Sequence, residues 1–448
     1  FFIKINCSKT NHSDSFLFLI KLRFMTMRSK EQELLSSELP FAWKSTMDTF
    51  ISRAVNAEIW DEEGKRYLDY VGGYAVLNTG HLHPVVVKKV EEQLKDFTHS
   101  CFAFAPHKKA LKLCEELNRR YPINEPTKSF LLNSGAEAVE NAIKISRYYT
   151  KRKNLISFVG GFHGRTHMAL GLTGKDIPYK EGFGPFPNEI FHSIFPYSYQ
   201  NISTDESIKS MEEIFNNDVS PEEVAAIIIE PVLGEGGYIP CEKEFLEYLR
   251  KKSSDNGIVL IFDEVQTGFG RTGKMFAAEH FDIEPDIVTL AKGIAGGFPL
   301  AAVIGRSDIM DSPKESALGT TFGASPISCS AGLGVLEVID NENLLENANN
   351  QARVMQSFLS KIQDESSHIG DVRGLGPMIG VEIVQNKENK LPAKDITNKI
   401  LEESKKRGLL LVSCGLEGNV IRFMGPLTTP LSQVEEAMQI FSESIKNI

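Results

Sequence analysis

The stretch Asp286-Ile-Val-Thr-Leu-Ala-Lys-Gly-Ile-Ala-Gly-Gly-Phe-Pro-Leu300 decides the fold of this chain of 448 residues. A short apolar run ends in one polar side chain, Lys292, and glycines follow it. A buried parallel strand delivers a side chain to the carboxyl edge of a sheet in this way. The pattern therefore predicts an α/β protein in which Lys292 stands at the edge of a mostly parallel sheet.

A second stretch of the same design, Val259-Leu-Ile-Phe-Asp263, lies upstream and delivers a carboxylate. Because the carboxyl ends of parallel strands meet at one edge, we expect Asp263 and Lys292 to share a site. Pyridoxal phosphate needs such a pair, since the lysine forms a Schiff base and the aspartate keeps the pyridine nitrogen protonated. The sequence thus predicts pyridoxal 5'-phosphate as the cofactor, with Lys292 and Asp263 as catalytic residues.

Composition argues against several other classes of protein. The net charge is -10 and no basic stripe stands out, so we expect no nucleic-acid partner. No apolar stretch approaches the roughly 20 residues of a membrane span, so we expect no membrane partner. The six cysteines are widely spaced and form no CxxC pair. We therefore expect reduced thiols, a cytoplasmic location and no metal site.

Four segments are expected along the chain. Residues 1–27 are predicted to be a non-native or disordered extension, because the chain starts at Phe1 and Met25 and Met27 offer later starts. Residues 28–79 and 331–448 are predicted to supply the N- and C-terminal parts of a smaller α+β domain. Residues 80–330 are predicted to form a large domain whose central sheet is covered by helices on both faces.

Apolar runs and helical spacing place the individual elements. Strands are predicted at residues 129–133, 154–158, 225–230, 258–262, 378–384, 409–412 and 420–423. Helices are predicted at residues 394–406 and 431–446, with one long helix from Pro326 to about residue 361. A hairpin is predicted over residues 55–69, with its turn at Asp61-Glu-Glu-Gly64.

The segment Leu131-Leu-Asn-Ser-Gly-Ala-Glu-Ala-Val-Glu140 predicts a phosphate cradle. Ser134 is a good N-cap, and Ser134-Gly-Ala-Glu137 fits a capping box. Gly135 lets the backbone approach a ligand closely, and the N–H groups of a helix N-terminus attract anions. Alone, this pattern is also that of an ordinary junction between a strand and a helix.

Two loops predict further contacts. In Gly160-Gly-Phe-His-Gly-Arg-Thr166, Phe162 is placed to stack on a planar ring and Arg165 to hold a carboxylate, while His163 fits packing better than proton transfer. In Ile227-Ile-Ile-Glu-Pro-Val-Leu-Gly-Glu-Gly-Gly237, Glu230 ends a buried strand and is expected in a polar layer under the cofactor. Glu235 follows in a loop where it is able to pair with a cation.

Taken together, these segments resemble class III, fold-type I, pyridoxal-phosphate-dependent aminotransferases, and bacterial 4-aminobutyrate aminotransferases most of all. The resemblance runs from about residue 45 to the carboxy terminus. The strings that carry it are long and specific: Gly64-Lys-Arg-Tyr-Leu-Asp69, Ala75-Val-Leu-Asn-Thr-Gly-His-Leu-His-Pro84, Phe162-His-Gly-Arg-Thr-His167, Asp263-Glu-Val-Gln266 and Ala291-Lys-Gly-Ile-Ala-Gly-Gly-Phe-Pro-Leu300.

The resemblance implies a role for each matching residue near the cofactor. Lys292 matches the Schiff-base lysine, which also moves the proton, and Asp263 matches the partner of the pyridine nitrogen. Gln266 matches the residue that hydrogen-bonds the phenolic oxygen. The remaining implied cofactor contacts are Ser134, Gly135, Ala136, Phe162, His163, Glu230 and Thr321. Thr321 matches a threonine that reaches the phosphate of the neighbouring subunit, so the family implies a homodimer with shared sites, which is able to assemble further.

The same resemblance implies how substrates are held. Arg165 matches the arginine that grips the carboxylate remote from the reacting amine, and Arg422 matches the one that grips the α-carboxylate of glutamate or 2-oxoglutarate. Glu235 matches a gate that pairs with Arg422 when the donor has no α-carboxylate. The implied reaction is ping-pong transfer of the amino group of 4-aminobutyrate to 2-oxoglutarate, which gives succinic semialdehyde and glutamate.

Departures from the family pattern leave the amino donor open. Tyr74 stands where 4-aminobutyrate aminotransferases carry an aliphatic residue, and ornithine aminotransferases carry a tyrosine there that helps bind a substrate carboxylate. Leu233 and Ala324-Ser-Pro326 also differ from the common residues. Ornithine, 5-aminovalerate, β-alanine and other ω-amino acids therefore stay alternatives to 4-aminobutyrate.

Three rival activities share some of these features. The same fold and lysine also serve racemases, aminomutases and decarboxylating enzymes, and a fold of this kind also serves as a non-catalytic regulator. Such regulators carry an added DNA-binding segment, and no helix-turn-helix or basic arm precedes residue 45. A nicotinamide oxidoreductase is disfavoured because no G-x-G-x-x-G opens a helix after an early strand.

Overall fold

The computed structural model describes residues 31, 33–43, 45–446 and 448. The extension predicted at residues 1–27 lies outside the described residues. The chain divides into one unit over Phe1–Ile51, with helical backbone at residues 33–37, and one compact unit over Ser52–Ile448. The boundaries predicted after residues 79 and 330 fall inside the second unit, and they stay predictions.

The strands are β1 (Ile51–Val55), β2 (Glu58–Asp61), β3 (Arg66–Asp69), β4 (Thr127–Leu132), β5 (Asn154–Phe158), β6 (Ile190–Ser193), β7 (Val224–Ile229), β8 (Val232–Leu233), β9 (Ile239–Pro240), β10 (Val259–Asp263), β11 (Ile287–Leu290), β12 (Ala301–Arg306), β13 (Ile369–Leu375), β14 (Met378–Ile383), β15 (Leu409–Leu410), β16 (Val412–Cys414) and β17 (Val420–Phe423).

The helices are α1 (Gly72–Ala75), α2 (Pro84–Asp96), α3 (Lys108–Arg120), α4 (Gly135–Thr150), α5 (His167–Leu172), α6 (Thr204–Asn217), α7 (Lys243–Asn256), α8 (Ala278–Phe281), α9 (Ser307–Met310), α10 (Pro326–Asn341), α11 (Leu344–Glu365), α12 (Lys394–Lys406) and α13 (Leu431–Lys446). Short 3-10 helices lie at Ser198–Gln200, Pro221–Glu223 and Lys292–Ala295. No helix in the described part of the chain combines the length and apolar character that a membrane crossing needs.

The central sheet has seven strands in the order β4-β12-β11-β10-β7-β5-β6. β11, β10, β7, β5 and β6 pair in parallel, whereas β12 runs antiparallel to both of its neighbours, β11 and β4. This confirms the predicted α/β fold with a mostly parallel sheet. The carboxyl ends of β7, β10 and β11 therefore meet at one edge.

Helices cover both faces of this sheet. Leu260 and Phe262 of β10 belong to a hydrophobic cluster that includes residues of α2, α3, α7 and α10. The alternate residues Val259 and Ile261 belong to a second cluster, which includes residues of α4. Because alternate residues of a strand point to opposite faces, the two clusters are the two sides of one sheet. This burial on both faces explains why the strands read as unbroken apolar runs.

Three smaller sheets accompany the central sheet, and the smallest is the antiparallel pair of β8 and β9. β13, β14, β17 and β16 form an antiparallel sheet, and β1, β2, β3 and β15 form another. In the second, Leu68 of β3 is paired in parallel with Leu409 of β15. Leu68 and Leu409 also belong to one hydrophobic cluster with residues of α11, α12 and α13. Segments far apart in sequence thus share one core.

Most element predictions agree with the structure, and two were wrong. The long helix predicted from Pro326 is broken after Asn341, because Asn343 has a left-handed φ of 49° and starts a new helix at Leu344. Asparagine tolerates this conformation better than most residues. The strand predicted at residues 409–412 is two strands, β15 and β16, which belong to different sheets.

Candidate active site

A cleft of about 360 Å³ opens where the carboxyl ends of β7, β10 and β11 meet. Its walls include ten of the residues that the sequence singled out: Ser134, Gly135, Ala136, Phe162, His163, Glu230, Glu235, Asp263, Gln266 and Lys292. Other parts of the lining are Val76, Asn133, Gly164, Val265, Ala291 and residues 297–300. Residues from six separate segments of the sequence therefore converge on one cavity.

Lys292 follows the end of β11 by two residues and begins a single 3-10 turn. Its φ of 43° is left-handed, a conformation that costs energy for a residue with a side chain. Strain of this kind persists where the surrounding structure holds it, and it occurs often at functional sites. Burial lowers the pKa of the Lys292 amine from its usual value, which favours the neutral amine.

Asp263 is buried at the end of β10 and is held by three neighbours. One carboxylate oxygen lies 2.7 Å from His163 Nδ1. The other accepts hydrogen bonds from Thr289 Oγ1 at 3.0 Å and from the Val265 N–H at 3.1 Å. A carboxylate offers about four lone-pair sites, so capacity is left for one more donor. The structure thus places His163 as a support of Asp263 in the wall of the cleft.

Glu230 follows β7 and forms the expected buried polar layer. Its carboxylate accepts hydrogen bonds from the Phe162 N–H at 2.7 Å and the Gly234 N–H at 2.9 Å. Burial raises the pKa of Glu230 to about 7, with the nearby Asp263 carboxylate contributing in the same direction. One carboxylate therefore ties together two loops that line the cleft, the loop of Phe162 and the loop that leads to Glu235.

The strand β4 runs into α4 through the predicted phosphate turn. Ser134 is the N-cap, and its Oγ accepts from the Glu137 N–H at 3.3 Å. The predicted capping box is only half formed, because the Glu137 carboxylate accepts from the Asn133 N–H at 2.7 Å instead of reaching Ser134. Gly135 and Ala136 line the cleft, and their N–H groups precede the first N–H that donates within the helix, that of Ala138. A Cβ on Gly135 would lie 2.9 Å from Val265 Cγ1.

Phe162 and Arg165 lie around one residue that the sequence did not single out, Tyr179. The rings of Phe162 and Tyr179 meet edge to face, 5.2 Å apart. The Arg165 guanidinium carbon lies 4.7 Å from the Tyr179 ring centroid. Arg165 is exposed, so its charge is available to a substrate carboxylate. Tyr179 gave no signal in the sequence, because it stands alone in an irregular loop.

Glu235 and Arg422 form the pair that the resemblance implied. Both terminal nitrogens of Arg422 donate to the Glu235 carboxylate, and Tyr179 OH also donates to it, at 3.3 Å. Burial raises the pKa of Glu235, but the charge and hydrogen bonds of Arg422, together with Lys292 and Tyr179, outweigh burial and leave that pKa below its usual value. Arg422 is 2% exposed, and its Nε has no hydrogen-bond partner among the described residues. The closed pair thus shields a buried cation at the cleft.

Four predicted site residues are not part of the cleft lining: Tyr74, Arg165, Thr321 and Arg422. The Tyr74 ring centroid is 5.5 Å from the guanidinium carbon of Arg422, and its side chain is 48% exposed. Thr321 is exposed in the loop before α10. Its neighbour Thr320 accepts a hydrogen bond from Asn133 Nδ2 at 3.1 Å, beside the phosphate turn. The contact implied for Thr321 is with another subunit and stays a prediction.

Thr289 is a functional neighbour that sequence reasoning missed. It holds the Asp263 carboxylate from the adjacent strand β11, where it is fully buried. A signal was present, because Thr289 is the one hydroxyl within the apolar run of β11. Glu264, the next residue after Asp263, points away from it and accepts hydrogen bonds from Tyr121 and from the N–H groups of Ala277 and Ala278.

These residues fit a planar heterocycle that carries an aldehyde and a phosphate. Lys292 supplies the amine, Asp263 keeps capacity for a ring N–H, and the turn at Gly135 supplies N–H groups for an anion. Gln266 is buried in the lining, and its Oε1 has no hydrogen-bond partner among the described residues. A buried polar atom without a partner is costly unless a ligand or water satisfies it.

Comparison with known proteins identifies the enzyme family of this chain. The model of the aminotransferase class-III family matches residues 41–445, so the chain belongs to that family of enzymes. The 5-aminovalerate aminotransferase DavT of Pseudomonas aeruginosa is 46% identical over 391 residues, which cover 87% of this chain and 92% of the relative. The 4-aminobutyrate aminotransferase GabT of Escherichia coli is 46% identical over 394 residues, which cover 88% and 92%.

Solved structures agree with this family assignment. The omega transaminase from Pseudomonas jessenii in complex with PMP matches with a TM-score of 0.86 and 25% identity. The match covers 93% of this chain and 97% of that protein. The fold of this chain is therefore that of the transaminases.

Proposed function

We propose that this enzyme binds pyridoxal phosphate and transfers the amino group of an ω-amino acid, 4-aminobutyrate first, to 2-oxoglutarate. The products are succinic semialdehyde and glutamate. The observation that carries the proposal is the common site of Lys292, Asp263 and the closed Glu235–Arg422 pair. The first two residues suit the cofactor, and the pair suits two substrates that differ by one carboxylate.

The cofactor proposal is supported by the chemistry of the lining and by the bound PMP of the Pseudomonas jessenii transaminase, which is the amino form of this cofactor. When bound, the cofactor supplies a ring that accepts the electrons released at the reacting carbon. Asp263 would hold the ring nitrogen, and His163 and Thr289 keep its carboxylate in place. The N–H groups of Gly135 and Ala136 would hold the phosphate, with Ser134 as the cap of the same turn.

Other residues of the cleft complete this assignment. Phe162 would pack on the ring, and Gln266 would hydrogen-bond the phenolic oxygen. Glu230 holds the loop of Phe162 in place through its N–H. Lys292 would bind the aldehyde and then act as the base that takes the proton from the amine-bearing carbon. Because burial lowers the pKa of Lys292, more of the amine is neutral and able to accept that proton.

Two arginines divide the work of binding carboxylates. Arg165 is exposed and directly follows Gly164, which lines the cleft, and it would bind the carboxylate remote from the amine. Arg422 would bind the α-carboxylate of glutamate or 2-oxoglutarate. A substrate without that group would leave a buried cation unpaired, which is costly. Glu235 removes this cost by pairing with Arg422, and it has to leave when glutamate binds.

5-Aminovalerate is the second candidate donor, because the Pseudomonas aeruginosa relative that bears this substrate in its name is also 46% identical. It is longer than 4-aminobutyrate by one methylene, a difference that a binding site separates only weakly. Ornithine and β-alanine are weaker candidates. Tyr74, beside Arg422, is the residue that keeps ornithine among them.

Assembly and location follow as further proposals. We infer a homodimer with shared active sites, in which Thr321 reaches the phosphate bound by the partner subunit, because the family resemblance supports it. A cytoplasmic location is supported by the free thiols of Cys101, Cys114, Cys241, Cys329 and Cys414. Assembly of these dimers into a larger homo-oligomer is compatible with the shared active sites and with the cytoplasmic location.

A screen of amino donors tests the function. The holoenzyme is assayed with 2-oxoglutarate and, in turn, 4-aminobutyrate, 5-aminovalerate, β-alanine and ornithine, and glutamate is measured as the product. We expect the highest kcat/KM with 4-aminobutyrate, followed by 5-aminovalerate. Ornithine outrunning both would overturn the named donor, and turnover without any keto acid would overturn aminotransfer itself.

A further inference from the structure

The loop that carries Glu235 is flanked by glycines, Gly234 on one side and Gly236 and Gly237 on the other. Its backbone is nevertheless held at three points. The Gly234 N–H donates to Glu230, and the Glu235 carbonyl accepts from the Gly415 N–H at 2.9 Å. The third point is the carbonyl of Gly237, which accepts two hydrogen bonds from Arg373, at 2.7 and 3.0 Å.

A second cavity, of about 330 Å³, lies behind this loop. Leu233 and Gly236 line one side of it, and Gly415, Val420 and Glu382 line another. Protein interiors are close-packed, so a cavity of this size leaves the loop room to move. The contacts that hold the loop therefore decide where the Glu235 carboxylate stands.

Arg373 is well placed to act as such a contact. It lies on β13, its side chain is 10% exposed, and it pairs with Glu382 at 2.7 Å and Asp371 at 3.0 Å. Its guanidinium also lies 4.9 Å from the Tyr197 ring centroid. A planar guanidinium held on several sides loses little freedom when it donates two bonds to one carbonyl.

Gly237 shows how closely the two groups fit. Its φ of 127° is a conformation that residues with a side chain rarely adopt, and a Cβ there would lie 3.1 Å from Arg373 Nη2. Glycine at this position thus allows both the backbone turn and the approach of Arg373. Only Gly236 lies between this anchor and Glu235, so a displacement of Gly237 passes directly to the gate.

We propose that Arg373 is a positioning residue for the Glu235 gate, and this inference rests on the function proposed above. Arg373 touches neither cleft nor substrate, and it acts by fixing Gly237 so that the Glu235 carboxylate faces Arg422. Loss of this anchor weakens the closed gate. Because only the ω-amino donor needs the closed gate, the two half-reactions respond differently.

The experiment measures kcat/KM for 4-aminobutyrate and for glutamate in the wild-type and variant holoenzymes. The quantity compared is the ratio of the 4-aminobutyrate value to the glutamate value. Arg373→Lys keeps the charge beside Asp371 and Glu382 but loses the pair of hydrogen bonds to the Gly237 carbonyl. We expect the ratio of 4-aminobutyrate to glutamate to fall about tenfold. Gly237→Ala disturbs the same contact but keeps the Arg373 side chain itself, so it is expected to lower the ratio as well.

Arg152→Lys is the matched control. The Arg152 guanidinium also donates to backbone carbonyls, those of Val224, Asn256 and Gly257, and none of these residues lines the cleft. We expect its ratio to equal that of the wild type. Equal losses with both substrates in Arg373→Lys and Gly237→Ala would show a merely structural role and overturn the inference.

Glu235→Gln separates this inference from the function on which it rests. If Glu235→Gln lowers the ratio and both anchor variants do not, the gate stands and the role of Arg373 falls. If Glu235→Gln leaves the ratio unchanged, the gate and the inference fall together. In the double variant with Glu235→Gln and Arg373→Lys, the second substitution is expected to add no further change to the ratio, because Glu235, which Arg373 positions, is already altered.

Discussion

Glu235 and Arg422 meet through two hydrogen bonds, of 2.5 and 3.3 Å, from the two terminal nitrogens of the guanidinium to the two carboxylate oxygens. This is the fork-to-fork geometry that arginine also uses for a free carboxylate. A substrate α-carboxylate that displaces Glu235 would therefore meet the Arg422 guanidinium already oriented for two hydrogen bonds. The pair explains how one cleft accepts substrates with one and with two carboxylates.

Substitutions of the two arginines are expected to differ in which substrates they affect. Arg422→Lys loses the fork but still neutralises Glu235, so binding of 2-oxoglutarate should weaken, with its KM raised about tenfold or more, while 4-aminobutyrate is little changed. Arg165→Lys should impair both substrates, because both carry a carboxylate remote from the reacting carbon. Steady-state kinetics with each substrate varied in turn check this, and equal effects of the two variants would contradict the division of roles.

Tyr74→Phe tests the residue that departs from the family pattern. The ring beside Arg422 is retained and only the hydroxyl is lost. If the donor is 4-aminobutyrate, the Glu235–Arg422 pair makes this hydroxyl unnecessary, and kcat/KM should stay within about twofold of the wild type. A loss of more than about tenfold with any donor would instead assign the Tyr74 hydroxyl to that donor's carboxylate.

Glu230 predicts a pH dependence of stability. Its pKa is raised from 4.5 to about 7 in the folded protein, so the native state keeps a proton that the unfolded chain releases. Stability contributed by this group is therefore complete below about pH 4.5 and is lost as the pH rises towards 7. The loss is on the order of 3 kcal/mol, since each unit of pKa is worth about 1.4 kcal/mol.

Glu230→Gln removes that titration, and it also leaves one of the two N–H donors, Phe162 or Gly234, without a full acceptor. We expect the variant to be less stable than the wild type at pH 5, with the difference shrinking by pH 7.5. Urea unfolding at both pH values measures this. A difference that does not shrink as the pH rises would mean that Glu230 is already ionised at pH 5 and is stabilised by its donors.

The fold was predictable because its signals are local. The apolar runs before Asp263 and Lys292 are long enough to be strands, and the polar residue at each end identifies the sheet edge. The break at Asn343 was not predictable, because α10 and α11 both have helical spacing and one asparagine separates them. The separation of β15 from β16 depends on Leu409 pairing with Leu68, a contact across more than 300 residues of sequence.

The residues that line the cleft were predictable from the sequence, but the residues that hold the lining in place were not. Lys292, Asp263 and the turn at Gly135 sit in motifs whose glycines and strand ends carry the information. Tyr179 and Arg373 act through contacts that only the folded chain creates, with Glu235 in one case and the Gly237 carbonyl in the other. Although Gly374 and Gly376 follow Arg373, neither residue stands in a motif that would separate it from an ordinary surface residue.

The most direct test of the account is the identity of the residue that holds the cofactor. The purified protein, reconstituted with pyridoxal phosphate, is reduced with borohydride, digested and analysed by mass spectrometry. The account predicts a yellow protein before reduction and a phosphopyridoxyl group on the peptide that contains Lys292. A colourless protein, or the group attached to any other lysine, would contradict it.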